Sequence, residues 1–290
     1  MQSLLLSSLL FSFSFGLIGR FLGGVDPVMV ALIRLCVAVL VFLPFLRIGN
    51  VCGADRLLLA GIGAIQYGLM YIVYIYAFRW LSGHEVALYT VVTPLYVSVL
   101  HDLRKSRFHA YYFMAALLAT VGGGVLVGRS SGHGWGGIAL IQISNVCFAF
   151  GQVEYKLLCA RRGLGGSAGH FALLYAGGAL LAGIVALAGN HWRSFAPSQE
   201  AWLVMAYLGI VPSALGFFFW NRGGRQVQAG VLAAANNVKI PLAVLVSLVV
   251  FRESVVWGRF LPGGLLLLLS LWLPYVYRRY AMRSHKEVSG

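Results

Sequence analysis

The strongest constraint on this chain is a rhythm of apolar segments long enough to cross a bilayer, each closed by a short loop rich in Gly, Pro, Asp or Arg. A spanning helix needs about 20 residues. Ten such segments are read, at about 3–19, 27–46, 57–78, 84–101, 109–128, 134–157, 168–189, 200–220, 228–251 and 257–277. Lipid offers the backbone no hydrogen-bond partner, so each segment must satisfy its own amides as a helix. The expectation is an all-α polytopic membrane protein with ten transmembrane helices. Composition agrees: 10% of residues are charged and the mean hydropathy is +0.83, against about 25% charged in soluble domains. No stretch is polar enough to form a separate soluble domain. The N-terminal run MQSLLLSSLLF has no basic start and no clear cleavage site, so it reads as the first span and not as a removed signal.

The net charge of +14 does not point to nucleic acid, because the basic residues are spread over short loops rather than gathered on one face. Their distribution instead sets orientation. Alternate loops and the tail carry fourteen Lys and Arg; the opposite loops carry six. Both termini are therefore expected in the cytoplasm, with the protein in the inner (plasma) membrane. Arg34 and Lys239 remain inside apolar segments. The four cysteines show no metal or redox spacing. No phosphate loop, nucleophile elbow or zinc-protease motif occurs. No catalytic residue, cofactor or metal site is expected.

The chain repeats itself. A slide of 147 residues lays Gly83 on Gly230 and Pro94 on Pro241. Five spans is an odd number, so a second copy enters the membrane from the other side. The reading is two inverted five-helix repeats, residues 1–129 and 132–280, followed by a short basic tail, 281–290. Secondary transporters often use this plan, with the substrate site at the repeat interface near mid-membrane. Proline-interrupted helices at matching positions, here the fourth and ninth, point to that site.

Four stretches carry a resemblance to a known family. The second segment reads DPVMVALIRLCVAVLVFLPFL, the fourth EVALYTVVTPLYVSVL, the sixth opens GHGWGGIALIQISNVCFAFGQVEYK, and the ninth ends PLAVLVSLVVFRES. In order and spacing these resemble the drug/metabolite transporter superfamily, in particular its EamA-type exporters. The resemblance covers nearly the whole chain. It implies ten helices in two five-helix repeats and export of amino acids and related metabolites. Two departures stand out. The first half lacks the glutamate expected after Pro94, and the ninth segment carries Asn236, Asn237, Val238 and Lys239 where aliphatic and small residues are expected.

That ninth-segment turn is the first candidate site. A lysine inside a span costs about 2.5–3.5 kcal/mol on insertion scales, and Pro241 frees the Asn237 carbonyl. Lys239 is assigned to a substrate carboxylate, with Asn236 and Asn237 hydrogen-bonding the ligand. On the third segment, Gln66 adjoins a stripe of Tyr67, Tyr71 and Tyr74 at helical spacing, expected to flank an apolar or aromatic group. Tyr89, Thr90 and Thr93 precede Pro94; Gln142, Asn145 and Gln152 share a face of the sixth segment; Trp220 and Asn221 end the eighth. Blander readings stand beside these: Trp220 as an interfacial anchor, the tyrosines as packing, Asn145 as glue between helices. Arg34 is expected to cap carbonyls or snorkel outward, and Glu154 to pair with Lys156 or Arg161. Pro94 and Pro241 are assigned as kinks about which the helices move.

The resulting expectation is a secondary transporter that exports amino acids or related small carboxylate-bearing metabolites by alternating access. Its partners are a small-molecule substrate and the lipid bilayer, without nucleic acid, as a monomer or homodimer. The alternatives are a multidrug or amine exporter with an aromatic-lined cavity, and a membrane enzyme or lipid-handling protein.

Overall fold

The protein is described by a computed structural model covering residues 2–46, 52–81, 83–105, 135–163 and 168–227, with single residues and short pieces between 113 and 125 and between 231 and 272. Among the described residues, seven helices are long and apolar enough to cross a membrane: α1 (Gln2–Phe21), α2 (Pro27–Phe45), α3 (Gly53–Ala77), α4 (Glu85–Lys105), α5 (Trp135–Arg162), α6 (Ala168–Ala188) and α7 (Gln199–Gln226). They are the first four and the sixth to eighth apolar segments. Most of the fifth, much of the ninth and part of the tenth lie outside the described residues, as do Asn237 and Pro241.

Local chemistry sets the helix ends. Asp26 caps α2, its Oδ1 accepting from the Val28 and Met29 amides at 3.0 Å, and Pro27 follows at the first helical position, where no amide partner is needed. Ser198 caps α7 by accepting from Ala201 N at 3.2 Å. Gly163 closes α5 at φ +62°, a left-handed conformation that costs glycine nothing. In α1, Ser7, Ser8 and Ser12 turn their hydroxyls back onto carbonyls three or four residues earlier, as polar groups do where water is scarce.

Ion pairs sort the helix termini into two ends. At one end Arg162 Nε lies 3.3 Å from Asp55 Oδ1, Arg104 pairs with Glu154, and Lys156 Nζ donates to the carbonyls of Gly224, at 3.1 Å, and Val227. Glu154 thus reaches across to α4 instead of pairing with Lys156 or Arg161 on its own helix. At the other end His191 Nδ1 meets Asp26 Oδ2 at 2.8 Å. Exposed Trp80, Trp135, Trp192 and Trp202 crown that end, where the interfacial belt of a membrane protein would lie. The sides expose large apolar residues such as Leu40, Leu180 and Leu203, a surface suited to lipid.

The helices close into a ring. α1 packs on α7, α7 on α2, α2 on α6, α6 on α3, α3 on α5, α5 on α4, and α4 back on α1. The contacts between the first four helices and the last three come in exchangeable pairs: α1 with α7 as α5 with α3, and α2 with α7 as α6 with α3. Association in lipid rests on close packing rather than on the hydrophobic effect. Gly63 and Gly177 provide it. A Cβ on Gly63 would fall on the Leu174 carbonyl, and one on Gly177 on the Ala60 carbonyl. Between α2, α6 and α7, Phe42, Phe171, Tyr175 and Phe218 form a buried aromatic cluster with ring centroids 5.1–6.2 Å apart.

Candidate functional site

Two π-helical stretches interrupt the ring, Ala64–Leu69 in α3 and Gly209–Gly216 in α7. A shift of 147 carries the first onto 211–216, inside the second. Such widened turns free backbone groups and mark functional sites. In α7, Pro212 sits within the stretch, and Tyr175 OH takes up the Ser213 carbonyl at 2.5 Å and the Ala214 carbonyl at 3.2 Å. The Ser213 hydroxyl then faces inward. It accepts from Tyr71 OH at 2.8 Å and from Arg34 Nε and Nη2 at 3.3 and 3.2 Å. The Arg34 guanidinium also lies 4.2 Å from the Tyr71 ring centroid.

Arg34 is therefore held at three points, 2% exposed, and neither snorkels nor caps its own helix. Its Nη1 has no partner among the described residues. It lines a cavity of about 570 Å³ together with Lys239, which is itself 9% exposed. The Lys239 ammonium lies over the Phe148 ring, 5.5 Å from its centroid. Phe11, Phe15, Met70, Phe148 and Phe217 supply an apolar wall; Ser14, Thr90, Thr93 and Ser144 supply hydroxyls. No Asp or Glu is among the described lining residues. The described carboxylates with resolved ion pairs, Asp26, Asp55, Asp102 and Glu154, engage basic partners instead.

α4 opens the wall by breaking. Its helix gives way to a tighter turn at Thr90–Val92 before resuming at Thr93. Pro94 occupies the first turn of the resumed helix, where its ring is tolerated. The break falls just ahead of it. The carbonyls it frees are taken up: Thr93 Oγ1 donates to Thr90 O at 2.5 Å, and Asn145 Nδ2 to Tyr89 O at 2.8 Å. Gln142 Nε2 also reaches Tyr89 O, at 3.3 Å.

The sequence candidates divide accordingly. Lys239, Tyr71 and Asn145 come together on the cavity, joined by Tyr74. Asn145 is there as a brace, its amide committed to α4. Tyr89 contributes its carbonyl to that brace and its ring stays off the lining. Tyr67 stands behind the wall, its ring against Tyr175 and Phe217 at 4.8 and 5.0 Å and its hydroxyl accepting from Asn221 Nδ2 at 2.9 Å. The π-turn between Tyr67 and Tyr71 adds a residue to the helix, so the stripe expected from regular spacing does not hold one face. Gln66 is buried against Gly151 with neither amide atom partnered among the described residues. Trp220 is 1% exposed beneath the cavity, far from an interfacial anchor. Asn236 donates to Gln152 Oε1 at 3.4 Å, below the lining. Sequence reasoning passed over Arg34 as a cavity residue and Ser213 as the buried anchor that holds it from behind the lining. The signals were an arginine two turns inside an apolar helix and a Pro-Ser pair in the middle of another.

The wall offers a small molecule two buried cations beside an aromatic face, an arrangement suited to an anionic head on an apolar body. Comparison with known proteins gives this site a setting. The sequence pattern of the EamA-like transporter family matches residues 1–128 and again 135–275. The biotin transporter of Salmonella typhimurium is 37% identical over 277 residues, covering 94% of this chain and 92% of the relative. That of Escherichia coli K12 is equally similar. A probable biotin transporter of Pseudomonas aeruginosa is 33% identical over 290 residues, covering 96% and 99%. A solved crystal structure shares the fold at 16% identity, with TM-score 0.73 over 96% of each chain. The chain belongs to the EamA-like transporter family.

Proposed function

We propose that this membrane transporter carries a small carboxylate-bearing metabolite by alternating access, with biotin the substrate that its relatives' names favour over an amino acid. One observation carries the reading: Arg34 and Lys239, both buried, line one cavity with no carboxylate among its described lining residues. Two cations without a carboxylate among the described lining residues are costly in a membrane and are matched by an anionic ligand. Biotin presents a carboxylate on an apolar chain and a fused ring system ending in a urea. The aromatic wall fits the chain and rings. Ser14 Oγ, without a partner among the described residues, offers the urea a hydrogen bond.

The exchangeable helix contacts and the two π-stretches related by 147 residues support inverted repeats over 1–129 and 132–280. α4 and α5 run in the same sense, so the chain must recross between them, within reach of the fifth apolar segment. This favours ten spans. The end bearing Arg104, Lys156 and Arg162 is then cytoplasmic, with both termini on that side of the inner membrane. A cation cage for amines is disfavoured, because the Tyr71 ring is already covered by Arg34.

The test is uptake of labelled biotin into proteoliposomes, with amino acids in the same panel and biotin or biotinamide as competitor. Biotinamide keeps the rings and chain but lacks the charge. It is expected to compete about 10-fold more weakly or worse, the loss of a charge-assisted hydrogen bond. Equal competition by the amide would remove the carboxylate from the mechanism. Transport of another organic acid in place of biotin would keep the class and change the substrate.

A further inference from the structure

Beneath the cavity floor lies a second, close-packed pocket between α5, α7 and Leu232 of the ninth segment, too tight to admit a water molecule. An aromatic layer separates the two. Phe148 and Phe217, with centroids 5.6 Å apart, face the upper cavity. Trp220 lies 6.4 Å from Phe148 and lines the lower chamber. Phe11 closes the layer, 4.8 Å from Phe217 and 6.2 Å from Trp220.

The lower chamber is built of donors. Gln152 and Trp220 are 2% and 1% exposed, and Gln152 Nε2 and Trp220 Nε1 have no partner among the described residues. Buried donors are nearly always paired, so each such orphan calls for an explanation. Asn236 holds the other end of the Gln152 amide by donating to its Oε1, which leaves the NH₂ group to the chamber. Lys156 and Arg225 also line it, and no Asp or Glu does among the described residues. Lys156 already donates to two carbonyls; its charge, like that of Arg225, still sets the local potential. What Gln152 and Trp220 lack is an acceptor, and the two cations beside them favour one that is negatively charged.

We infer that this chamber is a second carboxylate subsite, which receives the substrate's anionic group on its passage between the central cavity and the basic end of the molecule. The inference rests on the transport reading above. The pocket is closed in this state. Parting of Phe148 from Phe217 would join it to the cavity, and the carboxylate would pass from Arg34 and Lys239 to Gln152, Trp220 and the two lower cations. Of the described residues of the ninth segment, Lys239 lines the upper cavity and Asn236 backs the lower pocket.

Two variants at one position test this. Gln152→Leu removes the donor and keeps the bulk. Equilibrium binding of labelled biotin to the detergent-solubilised protein should stay within about 2-fold of wild type, while counterflow in proteoliposomes slows by about 10-fold, the worth of one hydrogen bond to a charged group. Gln152→Glu places a carboxylate in the chamber as a built-in occupant. It should raise the melting temperature and block counterflow. A lowered melting temperature for Gln152→Glu, or wild-type counterflow for Gln152→Leu, would overturn the subsite. If the wild-type protein moves neither biotin nor any other organic acid, the transport reading has failed and the subsite falls with it. If wild type transports and the variants transport as well as it does, the subsite alone is lost.

Discussion

Replacing Lys239 with methionine should stabilise the protein and weaken substrate binding together. The side chain is 9% exposed and lies over Phe148. None of the resolved ion pairs among the described residues includes it. A lysine at that depth costs about 2.5–3.5 kcal/mol. The Phe148 ring returns about 0.5–2 kcal/mol of this. A deficit of about 0.5–3 kcal/mol remains, following from those two ranges. Methionine has similar length and fits irregular apolar gaps, so Lys239→Met should recover most of the deficit as a higher melting temperature in detergent. A hydrogen bond to a charged group contributes about 1.5–3 kcal/mol. Its loss should weaken apparent biotin affinity by about 10- to 150-fold. The assay pairs thermal melting with saturation uptake in proteoliposomes. A lysine kept for function moves the two readouts in opposite directions, a common trade between stability and activity. A lower melting temperature with unchanged affinity would make Lys239 structural and refute the reasoning.

Other substitutions follow from the same geometry. Ser213→Ala removes the acceptor shared by Tyr71 and Arg34 and should cost about 1–3 kcal/mol, the penalty for stranded buried donors, visible as a lower melting temperature with reduced uptake. Arg34→Gln should lose both affinity and stability, unlike Lys239→Met, because Arg34 is tied to Tyr71 and Ser213 as well as facing the cavity; the same two assays check it. Gly177→Ala would drive a Cβ onto the Ala60 carbonyl and should cost about 1–3 kcal/mol or more through overpacking, whereas Gly24→Ala, with nothing within 4 Å, should melt as wild type.

The spans and their boundaries were legible because bilayer thickness imposes a length that composition cannot hide. Segments one to four and six to eight coincide with α1–α7 to within a few residues. The third helix begins earlier than the apolar run, at Gly53, because its first turn carries Asp55 and Arg56 at the membrane edge. The site was less legible. Regular periodicity put Tyr67 on the face of Tyr71, but a π-turn lies between them and nothing in AIQYGL announces one. Asn145 carried a polar signal, yet its amide serves a break in α4 rather than a ligand. Arg34 shows the opposite error. Its burial depends on Ser213, 179 residues away, a contact that no local pattern encodes. Lys239 carried the same signal as Arg34, a cation inside a span, and was weighed differently only because a proline and two asparagines stood beside it.

The two cations also differ in what holds them, and the difference suits a transport cycle. Arg34 belongs to the first half and is held before any ligand arrives by Tyr71 of its own half and, across the halves, by Ser213 of α7. Lys239 belongs to the second half, and its resolved partner among the described residues is an aromatic face. A carboxylate between them would add a second bridge between the halves. A ligand can bias a conformational equilibrium only by its difference in affinity between the states, and a bridging anion gains that difference wherever the two halves approach or separate. A pair of cations on one helix would bind as tightly in both states and shift nothing. On the transport reading, the division of charge between α2 and the ninth segment therefore couples occupancy to movement. Moving the arginine to the second half, with Arg34→Leu combined with Phe148→Arg, should retain carboxylate binding while slowing exchange. Equal counterflow in that double variant and in the wild type would show that the bridge is not what drives the cycle.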